Sequence, residues 1–165
     1  MVLNEKKYLL ILLISLCFSC ATVRDIEIKR DAGKSIVVIY DYNWETVYNA
    51  MRYVYRHTEN KLIATYYPDA MDFTKTEKTI WINDYYVYGC ILFGIFFTSI
   101  NESKTKVEFV KANLIENVEI YQQMIDQIID ESKYYLENDP DAYKEYTHQK
   151  RLEEEARIKA QRKDY

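Results

Sequence analysis

Residues 85–100 read Y-Y-V-Y-G-C-I-L-F-G-I-F-F-T-S-I, residues 101–104 read N-E-S-K and residues 105–113 read T-K-V-E-F-V-K-A-N. These three segments predict the centre of the fold. The first run is strongly apolar, as expected of a buried strand. In the last run Val107 and Phe109 alternate with Lys106, Glu108 and Val110, which is typical of a strand with two different faces. The polar tetrapeptide between the runs predicts the turn of a β-hairpin.

Three shorter strands are predicted before this hairpin. The segment S-I-V-V-I-Y at 35–40 is β-branched and apolar, which is typical of a strand buried on both faces. The segments at 61–67 and 79–82 predict two more strands, and the polar stretch 69–78 between them predicts a loop. The chain therefore has four to five strands for a mostly antiparallel sheet.

Two amphipathic helices are predicted beside the strands. Asn43 can cap the first helix, which should end near residues 58–60, and Asn117 can cap the second, which should end near residue 137. Apolar residues recur at helical spacing at Trp44, Val47, Tyr48, Met51, Val54 and Tyr55, then at Val118, Tyr121, Ile125, Ile128, Ile129, Tyr135 and Leu136. We therefore expect an α+β fold in which both helices pack on one face of the sheet.

The domain boundaries follow from the composition of the flanking segments. Residues 35–138 are enough for one α+β domain with a single core. Residues 20–34 are mixed and polar, and we expect a tether with a short strand at Ile26–Ile28. Residues 139–165 form a charged tail, which Pro140 can open as a helix. Its apolar positions are few and small, so we expect a solvated or frayed helix outside the core.

Composition excludes several classes of function. The chain has 165 residues, with 22 Lys and Arg against 26 Asp and Glu, and a net charge of −4. This balance gives no basic footprint for nucleic acid. Only 3 glycines leave little room for a phosphate-binding loop, and the 17 tyrosines occur on every segment, which indicates compositional bias.

The N-terminus carries the clearest functional signal. Lys6 and Lys7 precede an apolar run at residues 8–18, and Ser19 follows it. A basic start, a short apolar stretch and a small residue before the cleavage point are typical of a secretory signal. The run is too short for a membrane-spanning helix, which needs about 20 residues.

The tetrapeptide C-F-S-C at residues 17–20 resembles the lipobox of bacterial lipoprotein precursors. Cys17 stands where that family prefers Leu, whereas Ser19 and Cys20 match the pattern. The resemblance implies that residues 1–19 are removed and that Cys20 carries the lipid. Because Ala21 follows Cys20, it also implies the outer membrane, facing the periplasm, in a bacterium with two membranes. The alternative is a plain secretory signal or an uncleaved anchor.

The third cysteine then has no partner for an intramolecular disulfide. Cys17 leaves with the signal and Cys20 carries lipid, so Cys90 remains alone. A lone thiol in an exported protein can be reactive. In the apolar surroundings of residues 89–92 we expect it to be a small buried hydrophobe instead.

A tyrosine-rich surface is the main candidate for ligand or partner binding. Five tyrosines lie near predicted strand ends, and tyrosine combines a flat apolar ring with a polar tip. They are Tyr66, Tyr67, Tyr85, Tyr86 and Tyr88. Together with segment 85–100 they could line a cavity or contact lipid. The alternative is an ordinary core strand flanked by half-buried tyrosines.

Catalytic and metal-binding patterns are weak. His57 and His148 are the only histidines, and neither has neighbours at metal-ligand spacing. Asp69, Asp72 and Asp84 do not have the spacing of an EF-hand. We therefore expect no enzyme, cofactor or metal site, unless two carboxylates with raised pKa values share one cleft.

Taken together, these features predict a membrane-anchored envelope lipoprotein of the bacterial cell, with a non-enzymatic interaction or adaptor domain. Its expected partners are the membrane, through the N-terminal lipid, and another envelope protein. The alternative is a small-molecule or lipid carrier that uses the aromatic segment 85–100.

Overall fold

A computed structural model describes residues 21–59, 71–74, 78–83, 91–113 and 119–161. Its elements in chain order are α1 Val23–Asp31, β1 Ile36–Tyr40, α2 Trp44–His57, β2 Met71–Thr74, β3 Thr79–Asn83, β4 Ile91–Asn101, β5 Lys104–Lys111, α3 Glu119–Glu137 and α4 Pro140–Gln161. The strands form one five-stranded antiparallel sheet in the order β1-β5-β4-β3-β2. The predicted α+β class is confirmed.

The predicted hairpin forms the centre of the sheet. β4 and β5 pair antiparallel, with Ile95 opposite Phe109 and Phe97 opposite Val107. The turn lies between Asn101 and Lys104, where the Asn101 side chain accepts a 2.9 Å hydrogen bond from the backbone N–H of Ser103. α1 contacts β4 and β5 on one face and α2 contacts them on the other, so most of their apolar residues are buried.

α2 and α3 pack on one face of the sheet, as predicted. This two-helix face carries Phe97, whose ring meets that of Tyr48 on α2 edge-on, with centroids 5.4 Å apart. Tyr40, on the same face, forms a 2.9 Å hydrogen bond between its hydroxyl and that of Ser132 on α3. Asn43 caps α2 as expected, and Thr58 follows its last turn. Trp44 is only partly buried, which is less than the apolar stripe suggests.

α1 packs on the opposite face of the sheet, where no helix was predicted. The expected strand at Ile26–Ile28 is wrong, because Thr22 and Asp25 form a capping box that starts a helix. Ile26 is fully buried. It lies above Gly94, where an added Cβ would stand 3.2 Å from the Ile26 Cγ2 and 2.8 Å from the Trp81 ring. Glycine at this position allows α1 to approach the strand closely.

The expected loop at 69–78 contains β2 instead. In M-D-F-T, apolar and polar residues alternate, and the strand pairs with β3 from Met71–Ile82 to Thr74–Thr79. The overall polarity of the segment hid this alternation. The strand predicted at 61–67 and the cap at Asn117 lie outside the described residues.

The start of the C-terminal tail belongs to the buried structure, which corrects the expectation of a helix outside the core. Asp139 caps α4 by accepting hydrogen bonds from the backbone N–H groups of Asp141 and Ala142. Tyr143 and Thr147 are then buried, and the Tyr143 hydroxyl donates a hydrogen bond to Glu131 on α3. Beyond Thr147 the described part of α4 is mostly exposed, as the charge pattern predicted.

Candidate functional site

The residues predicted to form a site lie outside the described part of the chain. This holds for the lipidation candidate Cys20 and for Tyr66, Tyr67, Tyr85, Tyr86 and Tyr88. It also holds for Cys90, Asp69 and Asp84. The hypotheses of a tyrosine-lined surface and of a lipidated cysteine therefore stay predictions.

The chain is attached to the sheet from its first described residue. Ala21 is 8% exposed, and its carbonyl accepts a 3.1 Å hydrogen bond from the N–H of Ile91, the first residue of β4. Thr22 immediately caps α1. Ala21 therefore adjoins the end of the sheet where β4 begins. A helix fixed to the sheet occupies the segment expected to be a tether.

α1 is held on its face by a partly buried ion pair. Arg30 donates to the Glu108 carboxylate through Nη2 at 2.8 Å and through Nε at 3.1 Å. The Arg30 guanidinium lies 4.4 Å from the centre of the Phe96 ring, and Lys106 Nζ lies 3.1 Å from Glu108. Burial acts to raise the pKa of Glu108, but the hydrogen bonds and charges of Arg30 and Lys106 outweigh it and lower that pKa.

The described part of the apolar segment 85–100 is a core strand. Residues 91–97 of β4 are all buried, and Phe93 and Ile95 are fully enclosed. The ring of Phe96 meets Trp81 edge-on at 5.3 Å. Among the helices that the structure describes, none is long and apolar enough to cross a membrane.

A buried carboxylate that the sequence did not reveal lies where α2, α3 and α4 meet. Glu131 is 1% exposed. Its Oε1 accepts hydrogen bonds from Thr58 Oγ1 at 3.0 Å and from Gln127 Nε2 at 2.6 Å. Its Oε2 accepts a 2.8 Å hydrogen bond from the Tyr143 hydroxyl. Burial raises the pKa of Glu131, and the three donors act against that shift.

Aromatic rings pack beside this buried carboxylate. We define the helical junction as Thr58, Glu131 and Tyr143 together with the rings of Tyr53, His57 and Tyr135. Tyr53 lies between the His57 ring at 4.0 Å and the Tyr135 ring at 4.6 Å. Tyr143 meets the Tyr135 ring edge-on at 5.4 Å. Burial raises the pKa of Tyr143, and the nearby Glu131 charge adds to this rise. The junction therefore fastens α4 to the two helices beneath it.

An open cleft borders the junction. It has a volume of about 270 Å³ and is lined by Gln123, Asp126, Gln127, Asp130, Glu131, Tyr146 and Lys150. In the parts of the chain that the structure describes, no three His, Cys, Asp or Glu residues are grouped to hold a metal ion. Both oxygens of Glu131 already accept hydrogen bonds from side chains of the same chain. We therefore assign this carboxylate a structural role, which is to position α2, α3 and α4.

The two histidines lie at the rim of the same region. His57 Nδ1 is 2.9 Å from the Tyr53 carbonyl, at the end of α2. His148 Nδ1 is 3.1 Å from the Glu59 carboxylate, which Arg151 also contacts at 3.1 Å. The two contacts of Glu59 link α4 to the segment after α2. The contacts of His57 and His148 show a structural use for both rings.

The described residues thus define an α+β domain with two helices on one face of the sheet and a fixed N-terminal helix on the other. No family model matches the chain, and searches of curated proteins and of solved structures found no match.

Proposed function

We propose that the protein is a membrane-anchored lipoprotein of the bacterial envelope whose domain binds another envelope protein and has no enzymatic activity. Lipid on Cys20 would hold the domain, facing the periplasm from the outer membrane where the host has two membranes. The C-F-S-C motif after a basic and apolar start supports this anchor. Several acyl chains on one cysteine would suffice, since each buried CH₂ contributes about 0.8 kcal/mol.

The position of Ala21 is the structural observation that carries the proposal. The Ala21 carbonyl accepts a hydrogen bond from the Ile91 N–H, and Thr22 caps α1. A cleavage point just before Cys20 would therefore leave every described helix and strand in the mature chain. The lipid would hold one end of the sheet, the end where β4 begins, close to the bilayer.

Exposed aliphatic side chains support the interaction role. Val23 and Ile28 on α1 are exposed, as are Val37 and Ile39 on β1. Phe93 and Phe97 are buried in the described core, where the Phe97 ring meets Tyr48 of α2 edge-on. Apolar groups that remain on the outside of such a core suit a domain that binds another protein.

The anchor is tested by intact-mass measurement and membrane fractionation of the full chain made in a bacterial host. The wild type should lose residues 1–19, gain acyl chains and sediment with membranes. Cys20→Ala should abolish the cleavage and the acylation, because residue 20 can then no longer carry lipid. The matched variant Cys17→Ala should keep all three changes, because residue 17 leaves with the signal.

An unacylated, soluble mature chain would overturn the anchor and would favour a free carrier. If the anchor is present, photo-crosslinking from Val37 in intact membranes tests the interaction role. A specific crosslinked protein is expected there, and only a background signal, equal to that from exposed Leu152, would contradict it.

A further inference from the structure

The two edges of the sheet differ in how they are protected. Among the strands that the structure describes, β1 forms one edge and β2 the other. Natural proteins guard edge strands with charges, prolines or bulges, because unpaired backbone groups invite a further strand. β2 has Asp72 within its four residues. β1 is I-V-V-I-Y, with no charge and no proline in its five residues.

The side chains of β1 remain open to a partner on both faces. Val37 is 51% exposed and Ile39 50% exposed on the α1 face, and Ile36 and Val38 are half-buried on the two-helix face. A cleft of about 340 Å³ lies between β1 and the end of α3, bordered by Ile39, Tyr40, Asp41, Tyr42, Lys133, Leu136 and Glu137. An added strand would find backbone groups, apolar neighbours and space along this edge.

We propose that a second copy of this chain pairs antiparallel with β1, so that two five-stranded sheets join into one. A twofold axis at Val38 places Val37 of each copy opposite Ile39 of the other, on the same face. The half-buried Ile36 of each copy then lies opposite Tyr40 of the other. The segment is self-complementary in this register, because apolar residues meet apolar residues throughout.

Charge favours a second copy in this orientation. Lys34 precedes β1 and Asp41 follows it, and both are exposed. Antiparallel pairing brings the Lys34 end of each copy to the Asp41 end of the other, whereas parallel pairing would place like charges together. Asp41 already lies 3.0 Å from Lys104 of its own chain, so the contact would extend an existing ion pair.

The inference names a partner for the interaction role proposed above, but it does not depend on lipid at Cys20. If the lipid is present, confinement to one membrane raises the effective concentration of the two copies. Intact mass tests whether Cys20 carries lipid, and disulfide trapping on β1 tests whether two copies pair. The anchor and the dimer can therefore be refuted separately.

Disulfide trapping in the full chain, expressed in a bacterial host and exported to the oxidising periplasm, tests the pairing. Val38 lies opposite itself in the proposed register, where facing Cβ atoms are about 4.5–5.5 Å apart. Val38→Cys should therefore form covalent dimers. Ile100→Cys is the matched control, because Ile100 is 53% exposed on the same sheet but lies away from the edge. Equal or greater trapping at Ile100 would overturn the proposal.

A charge exchange in the Val38→Cys chain tests the orientation. Lys34→Asp should lower the trapped fraction about three- to tenfold, because two symmetric contacts become repulsive. The set Lys34→Asp, Asp41→Lys and Lys104→Glu, which keeps an ion pair at residues 41 and 104 within the chain, should restore it. Circular dichroism confirms that each variant is folded. An unchanged fraction in Lys34→Asp, or no recovery in the triple variant, would contradict the antiparallel pairing.

Discussion

The sheet core and the helical junction are both buried, but they are built with opposite chemistry. The core is apolar, with Phe93, Ile95 and Phe109 enclosed between the sheet and α2 and α3. The junction buries Glu131 together with Thr58 and Tyr143, which satisfy its oxygens. Apolar burial is non-directional and accepts many residues. A buried carboxylate needs particular donors at particular distances, so the junction should respond sharply to small chemical changes.

The largest effect is expected in the core. Phe93→Ala should lower the free energy of unfolding by about 3–5 kcal/mol, because it removes a fully buried ring and leaves a cavity. Denaturant-induced unfolding measures this loss. Ile100→Ala, on the same strand but mostly exposed, should stay within about 0.5 kcal/mol of wild type. Equal losses in the two variants would show that β4 is not the centre of the core.

The second effect concerns the junction. Glu131→Ala should cost about 2–3 kcal/mol, because it leaves the buried donors of Thr58 and Tyr143 without an acceptor. Glu131→Gln keeps an acceptor of the same shape, so its cost should be clearly smaller. Hydrogen exchange along residues 140–149 should accelerate in Glu131→Ala, since α4 loses its attachment. Unchanged exchange would mean that Glu131 does not hold α4.

The same contrast explains how much of the fold could be predicted. Strands β1, β3 and β4 are apolar runs, and β5, α2 and α3 have regular apolar periods, so sequence patterns located all six. Tyr143 is an isolated aromatic in a charged helix, and nothing local shows that it will meet Glu131. The donor Thr58 comes from a third segment, and only the folded chain brings these residues together.

The N-terminal region contains a helix-capping signal that the sequence analysis did not use. Thr22 and Asp25 have the spacing of a capping box, yet the alternation of Ile26 and Ile28 suggested a strand. The contact of Ala21 with Ile91 depends on long-range pairing, which one sequence does not encode visibly. The predicted site residues, Cys20 and the five tyrosines, were chosen from motif and composition and lie outside the described residues, so they remain predictions.

The smallest expected effect is on the pH dependence of stability. The contributions of two buried carboxyl groups, Glu131 and Glu108, should change with pH in opposite directions. Burial raises the pKa of Glu131 above its ordinary value of 4.5, so the folded state holds this proton more tightly than the unfolded chain. The stability linked to Glu131 is complete below 4.5 and is lost as the pH rises through the folded pKa. Glu108 behaves in the opposite way, because Arg30 and Lys106 lower its pKa despite burial. Its contribution is complete above 4.5 and is lost as the pH falls.

Unfolding free energies of wild type, Glu131→Gln and Glu108→Gln, measured from below to above pH 4.5, test this contrast. Glutamine does not titrate, so subtracting each variant from wild type isolates one carboxyl. The difference for Glu131 should fall with rising pH, and the difference for Glu108 should rise. Parallel curves would contradict the assignment, because the two carboxyls would then share one kind of environment. Opposite slopes would show that hydrogen-bond donors hold the carboxyl group of Glu131 in the junction. On the α1 face, the positive charges of Arg30 and Lys106 hold the carboxylate of Glu108.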